Sequence, residues 1–185
     1  MEVLKENITK TRWEIDPSHS ELMFKVKHLM IAHVKGEFKS FKAEIANEDF
    51  KIGKIKVSID PASIFTNDTS RDTHLKSADF FDVENYKTMT FESTSFRPVK
   101  DDVYKLKGLL TIKGVSNEVE LDVEFGGIIK DPWGAEKAGF SFEGKINRKH
   151  WGLNWNAALE TGGVLVSDDV KVSGELEFIK KATTE

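Results

Sequence analysis

The sequence lacks cysteine altogether, lacks any run of about 20 apolar residues, and lacks an excess of positive charge. Without cysteine there is no disulfide framework, no thiolate-held zinc or iron–sulfur centre and no thiol catalysis. With 27 Lys and Arg against 31 Asp and Glu, the formal net charge is −4. That balance speaks against nucleic acid, or an anionic lipid surface, as the main partner. Met1 to Thr11 is polar and holds no stretch resembling the apolar core of an export signal, so the chain reads as cytoplasmic, with no integral membrane segment. Repeats, low-complexity tracts and linkers are also missing. The reading is therefore one domain over 12–180, between a flexible segment 1–11, where Val3, Leu4 and Ile8 offer a small satellite, and a tail 181–185.

What is present is alternation. Apolar residues recur at every second position, the spacing of half-buried strands. Trp13 and Ile15 open the series, followed by Leu22, Phe24, Val26 and His28 against Lys25 and Lys27. Gly36 and Phe38 share one parity and Phe41, Ala43 and Ile45 the other along a third strand, which calls for a bulge, and a bend, near Lys39 or Ser40. Ile55, Val57 and Ile59 stop at Asp60-Pro61. The spacing then predicts one short helix near 71–81, from Leu75, Ala78 and Phe81 behind a Ser70 or Asp72 cap. Alternation resumes at Met89, in Tyr104 to Ile112, Val119 to Phe125, Ala138 to Ile146 and Val170 to Phe178. Evenly spaced strands with one helix fit an all-β antiparallel barrel or sandwich. Glycines on the inward parity, Gly36, Gly108, Gly144 and Gly174, remove side-chain volume and favour a barrel of about eight strands with a cavity.

Chemistry-bearing residues gather at His19-Ser20 with His28 and His33, in Thr66 to His74, and in Asn147 to His150. His19 reads as a turn-capping residue, His33 as surface, and His28 as a buried histidine or a ligand contact. No grouping has metal-ligand spacing, so no metal is expected. Ser70, Asp72 and His74 are too close along one helix to form a nucleophile, base and orienter. The Gly-x-Ser-x-Gly elbow and the phosphate-binding loop are absent, and Gly126-Gly127 and Gly162-Gly163 read as hairpin turns. Arg71 and Arg148 suit a phosphate or carboxylate head group, or salt bridges.

The residues Trp13 to Ser20, Phe24-x-Val26-x-His28, Gly36-x-Phe38-x-x-Phe41, Arg71-Asp72-x-His74-Leu75 and Asp79 to Asp82 stand in a recognisable order. With Gly108-x-Leu110-Thr111-Ile112-x-Gly114, Ala138-Gly139-Phe140, Ile146-Asn147-Arg148 and Trp151-Gly152-Leu153, the sequence resembles the YceI family from about Arg12 to Phe178. The resemblance implies an extended lipocalin-like antiparallel barrel with a long apolar pocket for polyisoprenoids, quinones or fatty-acid derivatives, and no resident cofactor. Many such proteins are exported and many dimerise. It assigns an apolar lining to Phe24, Val26, Phe38, Phe91, Leu110, Phe140 and Phe142. Our reading of the loops adds a polar mouth at His28, Arg71, His74 and Arg148. The function expected is non-enzymatic binding, transport or storage of a long-chain amphiphile. An enzyme with His28 or His74 as general base is the alternative, and a ligand-free interaction module a third. Phe96 and Trp133 read as outward aromatics that could serve a homodimer.

Overall fold

The computed structural model describes residues 9–184. Eleven strands run in chain order: β1 (Thr9–Ile15), β2 (Glu21–His28), β3 (Ala32–Phe38), β4 (Phe41–Ile45), β5 (Ile55–Ile59), β6 (Ile64–Phe65), β7 (Met89–Lys100), β8 (Val103–Ile112), β9 (Val115–Lys130), β10 (Glu136–Asn147) and β11 (Val166–Thr184). Helix α1 (Thr69–Lys76) stands between β6 and β7. β1 and β2 follow one another along β11, the first pairing with its end and the second with its beginning. β3 and β4 likewise share one position, on β2 and β1. With β6 as a short patch on β3, these segments make an eight-strand antiparallel barrel closed by β1 on β11.

Local chemistry sets the boundaries. The chain bends at Lys39 and Ser40, but the parity change is a break between β3 and β4, which pair with different strands, and not a bulge within one strand. Asp60 ends β5 by accepting from the Ala62 amide at 2.9 Å, which starts a 3₁₀ turn over Pro61–Ser63. Lys113 and Gly114 both have positive φ, the backbone of a tight hairpin between β8 and β9.

Several expectations are corrected. The helix begins before Arg71 because Asp68, not Ser70 or Asp72, is its cap, accepting from the Arg71 amide at 2.9 Å. It stops at Lys76, where Ser77 turns extended and its hydroxyl donates to the His74 carbonyl at 2.6 Å. Phe96 points inward, not outward, because Thr94 is an unpaired extra residue between Ser93 and Ser95 that reverses the parity of β7. Gly126 and Gly127 lie inside β9 at a second bulge instead of forming a turn. Thr9 pairs with Thr184, so 9–11 and 181–184 belong to the barrel. The proposed satellite of Val3, Leu4 and Ile8 lies outside the described residues.

The four inward glycines have a different role from the one their sequence suggested. A Cβ at Gly36, Gly108, Gly144 or Gly174 would strike Phe24, Phe91, Leu121 or Phe142 respectively. Each glycine is thus already covered by a neighbouring strand's side chain, three times a phenylalanine ring. The rings lie against the wall over the glycines, which keeps them out of the centre.

Candidate functional site

The two ends of the barrel are packed differently. At one end Trp13, Ile45, Phe50, Tyr104, Phe140 and Phe178 are buried and fill the interior. Phe50, from the loop after β4, is the floor, with ring centroids 4.6 Å from Phe125 and 5.2 Å from Phe140. Trp13 fixes that loop by donating from Nε1 to the Glu48 carbonyl at 2.9 Å. Toward the other end, Leu22, Phe24, Val26, Val34, Phe142, Val170 and Val172 point inward yet are only half-buried. Their open surface faces a cavity of about 580 Å³. That size falls within the usual range of small-molecule sites, roughly 300–1,000 Å³.

All seven residues assigned to the apolar lining, Phe24, Val26, Phe38, Phe91, Leu110, Phe140 and Phe142, border this cavity. The resemblance made that assignment, and strand parity agrees with it, since each of the seven sits on the inward face of its strand. Phe81, Trp155, Leu75, Phe80 and Phe50 also border it, and parity could not find them because they lie on loops or the helix. They have a common task. Past β6 the wall parts between β3 and β7, and α1 with the segment after it fills the gap. Phe38 and Phe81 meet edge to face across it at 5.7 Å.

His28, Arg71, His74 and Arg148 border the cavity too, in two settings. Arg71 and His74 lie on α1, and each side chain is 38% exposed while lining the interior, which locates the mouth. Thr66 positions Arg71: its hydroxyl and its carbonyl accept from Nε and Nη2, both at 2.8 Å. The Thr66 amide in turn donates to the buried Asp72 carboxylate at 2.9 Å. Among the described residues the one carboxylate near Nη1 is Asp68, at 4.0 Å, an arrangement that suits an anion at the mouth. His74 is hydrogen-bonded through Nε2 to Asp79 at 2.8 Å, and its ring meets Trp155 edge-on at 4.7 Å. His28, the last residue of β2, borders the cavity beside Leu165 and Val166.

Arg148 is in the second setting. It is 4% exposed, and its donors go to the carbonyls of Ser167 (3.0 Å), Trp155 (2.9 Å) and Leu153. Burial lowers its pKa, with Asp168 at 3.8 Å acting the other way. Its geometry is that of a clamp that folds the segment 153–166 over the barrel end and places Trp155 at the mouth. Asn156 helps, bonding both the amide and the carbonyl of Val166 at 3.0 and 2.7 Å.

Asp16, not His19, caps this turn, and His19 Nδ1 lies 2.9 Å from the Asp16 carboxylate instead of bonding the backbone. Asp16 also accepts from the amide and hydroxyl of Ser18 at 3.0 and 2.6 Å, and these bonds hold its carboxyl far below the ordinary range. Asp16, His19 and Glu177 converge, but Lys137 already reaches into the group, 2.7 Å from Glu177 and 3.5 Å from Asp16. An ammonium there makes the cluster an ion-pair network.

A closed antiparallel barrel with an apolar cavity and a polar mouth defines the protein as lipocalin-like. The family model for the YceI-like domain matches residues 13–178, and the chain belongs to this family. It is 43% identical over 171 residues to the UPF0312 protein SA2479 of Staphylococcus aureus (strain N315), covering 91% of this chain and 97% of that one. Among solved structures, a Campylobacter jejuni YCEI protein is 35% identical with TM-score 0.68, over 86% of this chain and 89% of that chain. A polyisoprenoid binding domain from Saccharophagus degradans, implicated in plant cell wall breakdown, shares the fold at TM-score 0.66 and 16% identity, over 91% and 98%.

Proposed function

We propose that this protein binds a long-chain amphiphile, a polyisoprenoid, isoprenoid quinone or fatty-acid derivative, as a carrier or store and without catalysis. The observation that carries the reading is the cavity of about 580 Å³ with its apolar wall, closed at Phe50 and polar only at the α1 end. The Saccharophagus domain of the same fold is described as polyisoprenoid-binding, and such cargo suits this lumen. Burying about ten methylene equivalents at about 0.8 kcal/mol each gives roughly 8 kcal/mol before ordering costs are deducted, so micromolar affinity calls for a tail longer than about ten methylenes. The tail supplies the affinity, and Arg71, His74 and His28 select the head group.

Native mass spectrometry of protein purified from its host, followed by lipid analysis after denaturation, tests this. A bound long-chain lipid is expected; protein that is ligand-free and takes up no prenyl or acyl chain refutes it. Arg71→Ala should weaken a prenyl phosphate by about tenfold, the loss of a charge-assisted contact, while leaving the matching prenyl alcohol unchanged. Equal losses for both would remove Arg71 from the head-group site.

A further inference from the structure

The net charge of −4 conceals an uneven distribution. On the outer face of β10, β11, β2 and β3, four lysines stand directly opposite one another: Lys145 by Lys171, Lys171 by Lys25, and Lys25 by Lys35. At ordinary strand spacing the row is about 15 Å long. Lys27 extends it, opposite His33. Like charges at directly paired positions destabilise a sheet. Lys145 has a carboxylate, Asp169, at 3.6 Å. Among the described residues, Lys25, Lys27, Lys35 and Lys171 have none within ion-pairing distance. Desolvation and the fields of Lys25, Lys27, Lys171 and Lys35 together lower the pKa of His33.

A second, independent oddity adjoins the row. The β2–β3 turn puts Leu29 (φ 54°) and Met30 (φ 63°) in the left-handed region, where Asn and Gly are favoured. Leu29, Met30 and the following Ile31 are 40%, 48% and 87% exposed, so burial does not compensate the strain. This tip stands at the cavity mouth: the Leu29 amide donates to the carbonyl of Leu165 at 2.9 Å, and both Leu165 and His28 border the cavity.

We propose that the β2–β3 hairpin docks the barrel on an anionic phospholipid bilayer, with Leu29, Met30 and Ile31 entering the interface and the lysine row facing lipid phosphates. Shallow apolar insertion flanked by lysines is how peripheral elements hold an anionic surface. Docked in this way, the mouth opens toward the lipid from which an apolar tail is drawn. The opposite end has an exposed tip of its own, Ile129 (69%) and Trp133 (88%), but it lies away from both the mouth and the row.

Co-sedimentation of the ligand-free full chain with vesicles of phosphatidylcholine, alone or mixed with phosphatidylglycerol, tests docking separately from cargo binding. The chain should pellet with the mixed vesicles only, and less so as salt rises. The triple change Lys25→Glu, Lys35→Glu, Lys171→Glu should weaken binding by roughly tenfold or more. The change Leu29→Asn, Met30→Gly, Ile31→Thr suits the turn and should keep or raise thermal stability while abolishing binding, which a structural role for these residues does not allow. Trp133→Ala should bind as the unmodified chain does. Indifference to lipid charge, absence of vesicle binding, a tip variant that binds normally, or capture of duplex oligonucleotide in place of vesicles would overturn the proposal.

Discussion

At Gly174 a single missing methyl group shapes the wall. A Cβ there would meet the Phe142 ring and lie 2.6 Å from the Glu21 carbonyl oxygen, and backbone cannot yield as a side chain can. Gly174→Ala should therefore destabilise the barrel by about 1–3 kcal/mol in urea unfolding, as overpacking does elsewhere. Gly36→Ala, whose nearest neighbours are side-chain atoms of Phe24 and Thr66, should cost less. Asp16 gives a pH-dependent counterpart. Because its folded pKa lies below the ordinary carboxylate value, its contribution is complete above that value and is lost as pH falls toward the folded one. Asp16→Asn should cost about 1–2 kcal/mol near neutral pH, with the difference from the unmodified protein vanishing in acid. Parity in the sequence located Phe24, Val26 and Phe142 on the lumen. It could not reveal that Gly174 accommodates a ring, because that depends on which residue the next strand sets beside it.

Among the elements, the strands were legible and the irregular pieces were not. Period-two alternation and the stop at Asp60-Pro61 are local signals, and they mark strands wherever the pairing is regular. Bulges at Thr94 and Gly126 are set by partner strands, so the orientation of Phe96 and the place of Gly126-Gly127 were misread. The start of α1 was visible only as a choice among neighbouring caps, which Asp68 wins by bonding the Arg71 amide. The loop after β10 was the least legible, since nothing local announces that carbonyls from Leu153 to Ser167 converge on Arg148. Arg148→Met should leave those carbonyls unsatisfied and lower stability by about 2–4 kcal/mol. Limited proteolysis should then cut within 153–165, whereas the unmodified loop resists. Cutting at the same rate in both proteins would contradict the clamp.

For the whole molecule, the architecture separates stability from binding. The end holding Trp13, Phe50, Tyr104 and Phe178 is a packed core, while the end under α1 surrounds a lumen that the side chains do not fill. Cavities kept apolar tend to stay dry, and such a lumen attracts a chain that replaces missing contacts on every side. Among the described residues no helix is long and apolar enough to cross a membrane. Recognition of the tail should depend on how many methylene groups fit between Arg71 and Phe50, and little on their chemistry. Titration calorimetry with a series of straight-chain alcohols or prenols of increasing length is the direct measurement. Affinity should rise by about 0.8 kcal/mol, or roughly fourfold, for each buried methylene and then level off once the lumen is full. Val172→Trp, which narrows the lumen from its wall, should bring that plateau to shorter chains. Affinity independent of chain length, or no binding at any length, would contradict the account.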